Sequence, residues 1–274
     1  QTEMNWGPEI NRIDPVTGYT PLMVAAANGS PQSIQTLMDR GAEGDYQDPH
    51  KGRTALIVAA KKGKAEACDM LLHKGVSISI PDKTGMYPLM WACKNGYFDC
   101  AKVLIKRGAG VNSIDPNNWT AMHYAAKYGH REIVEYLSDC GASIILKETL
   151  EEGKTPLMLA AQYGRRDTVN ALIDKGSKVN EVTTRDELTP LILAAKEGHK
   201  GTVRALIEKG ADSNMADSYG WTPLHFCASW GRRSTAQILI QEGGANVNAM
   251  PVKKKSGAGG TTPLIIACKG QQVD

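Results

Sequence analysis

A motif that returns at intervals of mostly 33 to 35 residues constrains the fold more than any other feature of this chain. Its first copy reads Thr20-Pro21-Leu22-Met23, and the spacings between the eight copies are 34, 33, 33, 35, 34, 33 and 40 residues. A period of this length is typical of stacked repeats, in which each unit buries its apolar face only against its neighbours. The copies open at Thr20, Thr54, Tyr87, Thr120, Thr155, Thr189, Thr222 and Thr262.

Each recurring position of the repeat has a structural reason. A threonine hydroxyl can cap a free N–H where a helix begins, and proline fits the first helical position, where its missing N–H costs nothing. A pair of small residues such as Ala59-Ala60 follows, and Gly63, nine residues after Thr54, suits the left-handed end of a helix. A second apolar run such as Leu71-Leu72 then stops at a glycine. The sequence therefore predicts two short helices in each repeat.

The repeat resembles the ankyrin repeat, whose family pattern is D-x-x-G-x-T-P-L-H-x-A-A-x-x-G-H. Residues Asp217–His225 read D-S-Y-G-W-T-P-L-H, and residues Thr120–His130 read T-A-M-H-Y-A-A-K-Y-G-H. The resemblance covers almost the whole chain in register. It implies an all-α solenoid of helix-turn-helix units, joined by β-hairpin-like loops and stacked in a right-handed curve.

Two departures from the family pattern concern the hairpins and the capping histidine. Asn118 and Glu187 replace the turn glycine, and asparagine tolerates a positive φ better than glutamate does. We therefore expect an irregular hairpin before Thr189. The histidine after Thr-Pro-Leu or its equivalent is present only at His123 and His225, whereas the other repeats carry Met or Ile there.

Both ends of the array look incomplete in the repeat register. Residues 1–9 are interpreted as the tail of a truncated upstream repeat, residues 10–261 as seven repeats, and residues 262–274 as the first helix of an eighth, incomplete repeat. Terminal repeats normally carry a polar outer face, since the last apolar surface has no neighbour. We expect either a fragment of a longer array or ends that pair with a partner absent from this sequence.

Composition indicates an intracellular protein with a limited range of partners. The net charge of +3 is too small for a surface that binds nucleic acid as a whole. The six cysteines form no C-x-x-C pair and lack histidines at zinc-finger spacing, so we read them as reduced thiols. No apolar run approaches the length of a membrane helix, and the first residues do not resemble a signal peptide. We expect a cytoplasmic location, with the nucleus as the alternative, and no membrane contact from these residues.

Candidate chemical motifs are explained by the repeat itself. Gly153-Lys154-Thr155 imitates the end of a phosphate-binding loop, but Glu148 stands where that loop needs its first glycine. Four of the six histidines occupy repeat positions, and no catalytic triad is suggested by the pattern. The sequence therefore predicts no catalytic residue, no metal site and no cofactor.

The last spacing contains an insertion at residues 251–260 with three lysines, Lys253, Lys254 and Lys255, beside a glycine-rich stretch. We interpret the insertion as a solvent-exposed loop tip, since short runs of charged residues usually do no more than keep a loop in solvent. Contact with an acidic partner, or a weak nuclear-import signal, is the alternative.

Partner specificity in a repeat stack comes from the positions that the repeat leaves free. The ankyrin resemblance places these on the hairpin tips and first helices, which line a concave groove. Aromatic residues and lysines are enriched there, and aromatics are common at interface centres. The alternative is that the aromatics pack on their own hairpins and the lysines only solvate helix ends. The predicted partner-binding residues are Tyr19, Lys61, Lys62, Lys94, Trp119, Lys127, Tyr128, Tyr163, Lys196, Tyr219, Trp221 and Trp230.

Two functions fit these observations. The first is a non-enzymatic scaffold that binds an acidic or apolar segment of a protein partner, with lysines steering the encounter and aromatics supplying affinity. The second is the recognition arm of a larger enzyme or membrane channel whose activity lies outside this sequence.

Trp91, Tyr124 and Phe226, one helical turn before the free positions, are expected to fill the core between repeats.

Overall fold

The computed structural model describes residues 9–149, 152–251 and 260–270, and within them it contains fifteen helices and no strand. Most of the expected upstream tail (residues 1–8), the lysine insertion (residues 252–259) and the last four residues (271–274) lie outside the described residues.

The first helix of each repeat begins directly after the opening residue, as the Thr-Pro pattern predicts. Proline occupies the first helical position in α1, α5, α9, α11, α13 and α15, where its fixed φ suits the helix start. These first helices are α1 (Pro21–Asn28), α3 (Ala55–Lys61), α5 (Pro88–Asn95), α7 (Ala121–Tyr128), α9 (Pro156–Gln162), α11 (Pro190–Glu197), α13 (Pro223–Ser229) and α15 (Pro263–Lys269).

The second helices follow after a short turn and bury one apolar stripe each, such as Cys100, Ala101 and Leu104. Their outer faces are polar, as the 3.6-residue period of an amphipathic helix requires. They are α2 (Pro31–Asp39), α4 (Ala65–His73), α6 (Phe98–Lys106), α8 (Arg131–Asp139), α10 (Arg166–Asp174), α12 (Lys200–Glu208) and α14 (Arg233–Gln241).

The opening threonines cap the first helices, which confirms the role read from the sequence. Thr54 Oγ1 accepts a hydrogen bond from the N–H of Ile57 at 3.2 Å, and Thr189 Oγ1 accepts one from Ile192 at 3.1 Å. In the fourth repeat, His123 Nδ1 also accepts the backbone N–H of Thr120 at 3.1 Å. The histidine ring therefore satisfies a second free donor at the helix start.

The chain divides into two compact units, residues 1–125 with 139–142, and residues 126–138 with 143–274. In the first unit, α1, α3 and α5 pack side by side, and so do α2, α4 and α6. In the second unit, α9, α11, α13 and α15 form one such layer, and α10, α12 and α14 form the other. Small pairs in the interior of the units, such as Ala59-Ala60 and Ala194-Ala195, are fully buried, which lets neighbouring first helices approach closely.

Differences in repeat length fall in the hairpins. The hairpin at residues 82–86 closes with a bond from the N–H of Asp82 to the carbonyl of Met86, and the one at 48–53 closes in the same way with one residue more. The spacing of 34 residues before Thr54, against 33 before Tyr87, follows from that extra residue. The helices therefore stay in register while the tips vary.

The hairpin before Thr189 is more regular than the sequence suggests. Glu187 adopts a left-handed φ of 57°, close to the 61° of Asn118. The hairpin closes between the N–H of Thr183 and the carbonyl of Leu188 at 3.0 Å. The expected irregularity in this backbone is thus wrong, because the surrounding repeat holds a glutamate in a conformation that costs about 1 kcal/mol.

In the second unit, arginine side chains link the fifth and seventh repeats to the first helix of the preceding repeat. Arg165 Nε donates to the carbonyl of Lys127 at 3.1 Å, and Arg232 Nε donates to that of Lys196 at the same distance. Helix C-termini carry free carbonyls and a partial negative charge, so a guanidinium is a favourable partner there. These bonds also fix the helix ends that carry Lys127 and Lys196.

Two glycine variants test how tightly neighbouring hairpins pack. Gly75 and Gly85 both have positive φ values, 84° and 79°. A Cβ at Gly75 meets no atom within 4 Å, whereas a Cβ at Gly85 would collide with the ring of Pro116. We expect Gly75→Ala to lower the free energy of unfolding by about 1 kcal/mol through backbone strain alone, and Gly85→Ala to lower it further. Urea unfolding of both variants measures the difference, and equal losses would show that the hairpin contact is loose.

Candidate protein-binding surface

Three positively charged side chains lie against a buried tryptophan in the first unit. The side chain of Trp91, in α5, is only 8% exposed, and its Nε1 donates to Asp82 Oδ2 at 2.9 Å. The Nζ atoms of Lys61 and Lys94 lie 4.8 and 4.9 Å from the ring centroid, and the guanidinium carbon of Arg53 lies 5.2 Å from it. Cation–π attraction of this kind stabilises a charge that is partly removed from water.

The next hairpin of the first unit is built in the same way around Asp115. Its carboxylate accepts the N–H of Trp119 at 2.9 Å and the hydroxyl of Tyr124 at 2.7 Å. The ring centroids of Trp119 and Tyr124 lie 5.0 Å apart, and Lys94 Nζ lies 5.8 Å from the Tyr124 ring. Trp119 is therefore half-buried against its own first helix.

Five residues of the second unit form a surface that we call the helix-end patch, because they lie at the C-terminal ends of α7, α9, α11 and α13. Lys127 Nζ lies 4.7 Å from the ring centroid of Tyr163 and 6.0 Å from that of Tyr128, and Lys196 Nζ lies 5.9 Å from that of Trp230. Trp230 is 54% exposed and Tyr163 is 40% exposed. The patch comprises Lys127, Tyr128, Tyr163, Lys196 and Trp230.

The hairpin of the seventh repeat is built like the one around Asp115, but its aspartate, Asp217, receives no hydroxyl donor from the first helix that follows. Asp217 Oδ1 accepts the N–H groups of Tyr219 and Trp221 at 2.9 and 2.8 Å. Trp221 packs edge-on against Phe226 with centroids 5.3 Å apart, and phenylalanine has no hydroxyl to offer the carboxylate. Burial raises the pKa of Asp217, and the backbone donors only partly offset it.

The structure corrects one sequence expectation about exposure. Trp119 and Trp221, which precede two opening threonines, were expected to contact a partner from the hairpin tips, but the structure half-buries both. At the same position of their repeats, Met86 and Leu188 are buried. Side chains at this position pack within and between hairpins, as Trp221 does on Phe226. Among the other predicted residues, Tyr19 is half-buried, whereas Lys62 and Tyr219 are exposed.

Sequence reasoning missed the role of two residues. Trp91 was expected in the core, and it is buried. Its ring also makes cation–π contacts with three positively charged side chains. Arg53 was not among the residues predicted to bind a partner. The available signal was that Arg53 carries a charge at the repeat position where Met86 and Leu188 are apolar.

Reactive groups are few in the part of the chain that the structure describes. No three His, Cys, Asp or Glu side chains of these residues form a group that could hold a metal ion. All six thiols are free, and burial raises the pKa of Cys93 and raises that of Cys227 to about 12, so both stay protonated at neutral pH. No described helix has both the length and the apolar character needed to span a membrane.

Comparison with known proteins defines the family. A family model described as ankyrin repeats (3 copies) matches residues 4–82, 74–148, 117–183 and 157–251. The chain therefore belongs to the ankyrin repeat family, as the sequence resemblance indicated. No curated protein matches it. The crystal structure of the human ASB11 ankyrin repeat domain is similar, with 27% sequence identity, a TM-score of 0.71, and coverage of 82% of this chain and 98% of that chain.

The two aromatic hairpins provide a reciprocal test of the carboxylate contacts. Phe226→Tyr would give Asp217 the donor that Tyr124 gives Asp115, so we expect the free energy of unfolding at pH 7 to rise by about 1 kcal/mol. Tyr124→Phe removes such a donor and should lower it by a similar amount. Urea unfolding of both variants at pH 7 measures the pair.

The pH dependence separates this hydrogen bond from simple packing. A folded-state pKa above the unfolded value means that ionisation of Asp217 costs stability as pH rises through and above the usual Asp range. A phenol donor favours the carboxylate, so the gain from Phe226→Tyr should shrink as the pH falls and the carboxyl becomes protonated. A gain that is independent of pH would refute the hydrogen-bond explanation.

Proposed function

We propose that this chain is a non-catalytic interaction module that binds a partner protein or peptide through its hairpins and the C-terminal ends of its first helices. Ankyrin repeats are generally protein-interaction modules, and this family membership gives the general role. The observation that carries the specific proposal is the helix-end patch. It places three large aromatic side chains in solvent at positions that the repeat does not need for stacking.

The chemistry of the patch favours a partner segment with apolar side chains and negative charge. Exposed Tyr and Trp rings offer a large apolar area at a low cost in side-chain entropy, which is why such residues dominate interface energetics. Lys127 and Lys196 lie over rings of the following repeats, so each lysine has a preferred position before a partner arrives. Positive charge beside an apolar surface attracts an acidic segment and speeds its encounter.

The proposal applies equally to a scaffold and to the recognition arm of a longer enzyme or channel, because in both cases the contact lies on these repeats. We place its action inside the cell, since all six cysteines are free thiols.

The test is co-purification with the variant Tyr128→Ala/Tyr163→Ala/Trp230→Ala. Trp119 and Trp221 are left unchanged because both support their own hairpins. Each truncated interface aromatic can cost about 1 kcal/mol or more, so we expect the triple variant to bind the wild-type partner more than about tenfold more weakly. Quantitative mass spectrometry of the captured proteins, followed by a titration with the purified partner, measures the loss.

The matched control is Ile145→Ala/Ile240→Ala/Val247→Ala in the same unit. These three side chains are also apolar and exposed, but they lie outside the hairpins and the first helices. The control should keep wild-type binding. Full binding by a patch variant that unfolds like the wild type, or an equal loss in the control, would overturn the proposal.

A further inference from the structure

A cleft of about 420 Å³ opens between three consecutive hairpins of the first unit. Hairpins 48–53, 82–86 and 115–119 contribute to its wall, together with side chains of α5 and α7. Its volume lies in the range of sites that hold a small ligand or a few side chains. The lining residues that matter here are Arg53, Asp82, Trp91, Lys94, Asp115 and Tyr124.

Arg53 lines the cleft as a buried cation that forms no ion pair with a described residue. Arg53 is only 9% exposed, and its buried Nε atom has no hydrogen-bond partner among the described residues. Its guanidinium carbon lies 5.2 Å from the centroid of the Trp91 ring. A guanidinium carries five N–H donors, and a buried charge without a partner is costly. A residue in this condition points to an anion that completes the site.

The two carboxylates of the cleft already accept hydrogen bonds from neutral donors. Asp82 accepts the N–H groups of Thr84 and Met86 at 2.9 and 3.1 Å, and the indole N–H of Trp91 at 2.9 Å. Asp115 accepts the hydroxyl of Tyr124 and backbone N–H groups of its own hairpin. Neither carboxylate forms an ion pair with Arg53. Asp82 and Asp115 therefore stabilise their hairpins, and the Arg53 guanidinium can bind an anion.

Positive charge accumulates around the same tryptophan. Lys61 and Lys94 lie over the Trp91 ring, within 5 Å of its centroid. The pKa of Lys61 is lowered by burial first, and then by the neighbouring charges of Arg53 and of three further lysines. Mutual repulsion of this kind stores free energy that a bound anion releases.

We propose that this cleft binds an acidic peptide segment and seats one Asp or Glu carboxylate on Arg53. The inference rests on the proposed function, because it names the class of partner segment that the first unit takes. The cleft is lined by four positive side chains, Arg53, Lys94, Lys51 and Lys83, against the two carboxylates of Asp82 and Asp115, so it attracts an anion. A dianionic phosphate would lie beside both carboxylates, and its second charge would add to the repulsion, so the cleft favours a singly charged carboxylate.

The rim of the cleft extends the preference to neighbouring acids. Lys51 and Lys83 line it and are exposed, and Lys83 Nζ is held by the carbonyl of Pro49. An acidic residue next to the seated one therefore meets a solvated lysine. The flanking charges supply steering and salt dependence, whereas the buried guanidinium supplies the specific contact through paired N–H donors.

The experiment uses the whole chain and a fluorescein-labelled oligoglutamate peptide, with binding followed by fluorescence anisotropy. The variant is Arg53→Met, which places at this position the side chain that Met86 provides in the next repeat. Its control is Lys102→Met, which removes the same charge from an exposed position outside the cleft. We expect Arg53→Met to weaken binding about tenfold or more, and Lys102→Met to weaken it about twofold or less.

A second variant and a second peptide keep the test decisive. If Arg53→Met does not fold, Lys61→Met/Lys94→Met removes the two lysines from the Trp91 ring and should weaken binding while leaving Arg53 in place. A phosphoserine peptide of the same length should bind no better than oligoglutamate. No measurable oligoglutamate binding, equal losses for Arg53→Met and Lys102→Met, or preference for the phosphopeptide would overturn the inference. None of these results would affect partner capture through the helix-end patch, which is tested by its own variant.

Discussion

The carboxylate that begins a hairpin is the contact on which the candidate binding surface depends. Backbone N–H groups in a tight turn need acceptors, and Asp82 supplies them from inside the turn. The same carboxylate receives the indole N–H of Trp91, so it joins the hairpin to the first helix that follows. Because the turn is held from within, the tip can gain or lose a residue without shifting the helices. The variable side chains are thus presented from fixed positions.

Several of the lysine–ring contacts in the candidate binding surface join neighbouring repeats. Lys61 of the second repeat reaches the Trp91 ring of the third, and Lys127 of the fourth reaches the Tyr163 ring of the fifth. Each lysine lies in the last turn of a first helix or next to it, where the helix dipole favours a cation. A ring from the following repeat then limits where the ammonium can go. Stacking therefore both stabilises the chain and orders the charges that a partner would meet.

The parts of the structure that sequence predicted are those fixed by local chemistry and by the period. Thr54 caps a helix because a hydroxyl in that position reaches a free N–H, whatever lies beyond the repeat. The exposure of Trp230 follows from its register on the first helix. The burial of Trp221 did not follow, because it depends on the ring of Phe226 and on a hairpin that closes beside it. Contacts between elements require three-dimensional placement that a repeat pattern does not contain.

Arg53 and Lys154 occupy the same position in their repeats, and the comparison shows why only one of them suggests a ligand. Both are buried cations, and burial of a charge is costly unless something compensates it. Lys154 Nζ lies 3.9 Å from a carboxylate oxygen of Glu152 in its own hairpin, so part of the compensation comes from within the chain. Within the described ranges, Arg53 lies against the face of Trp91 and pairs with no carboxylate, and a ring attracts a cation less strongly than an anion does. The remaining compensation for Arg53 must come from solvent in the free chain, and a bound carboxylate can replace that solvent with two aligned acceptors.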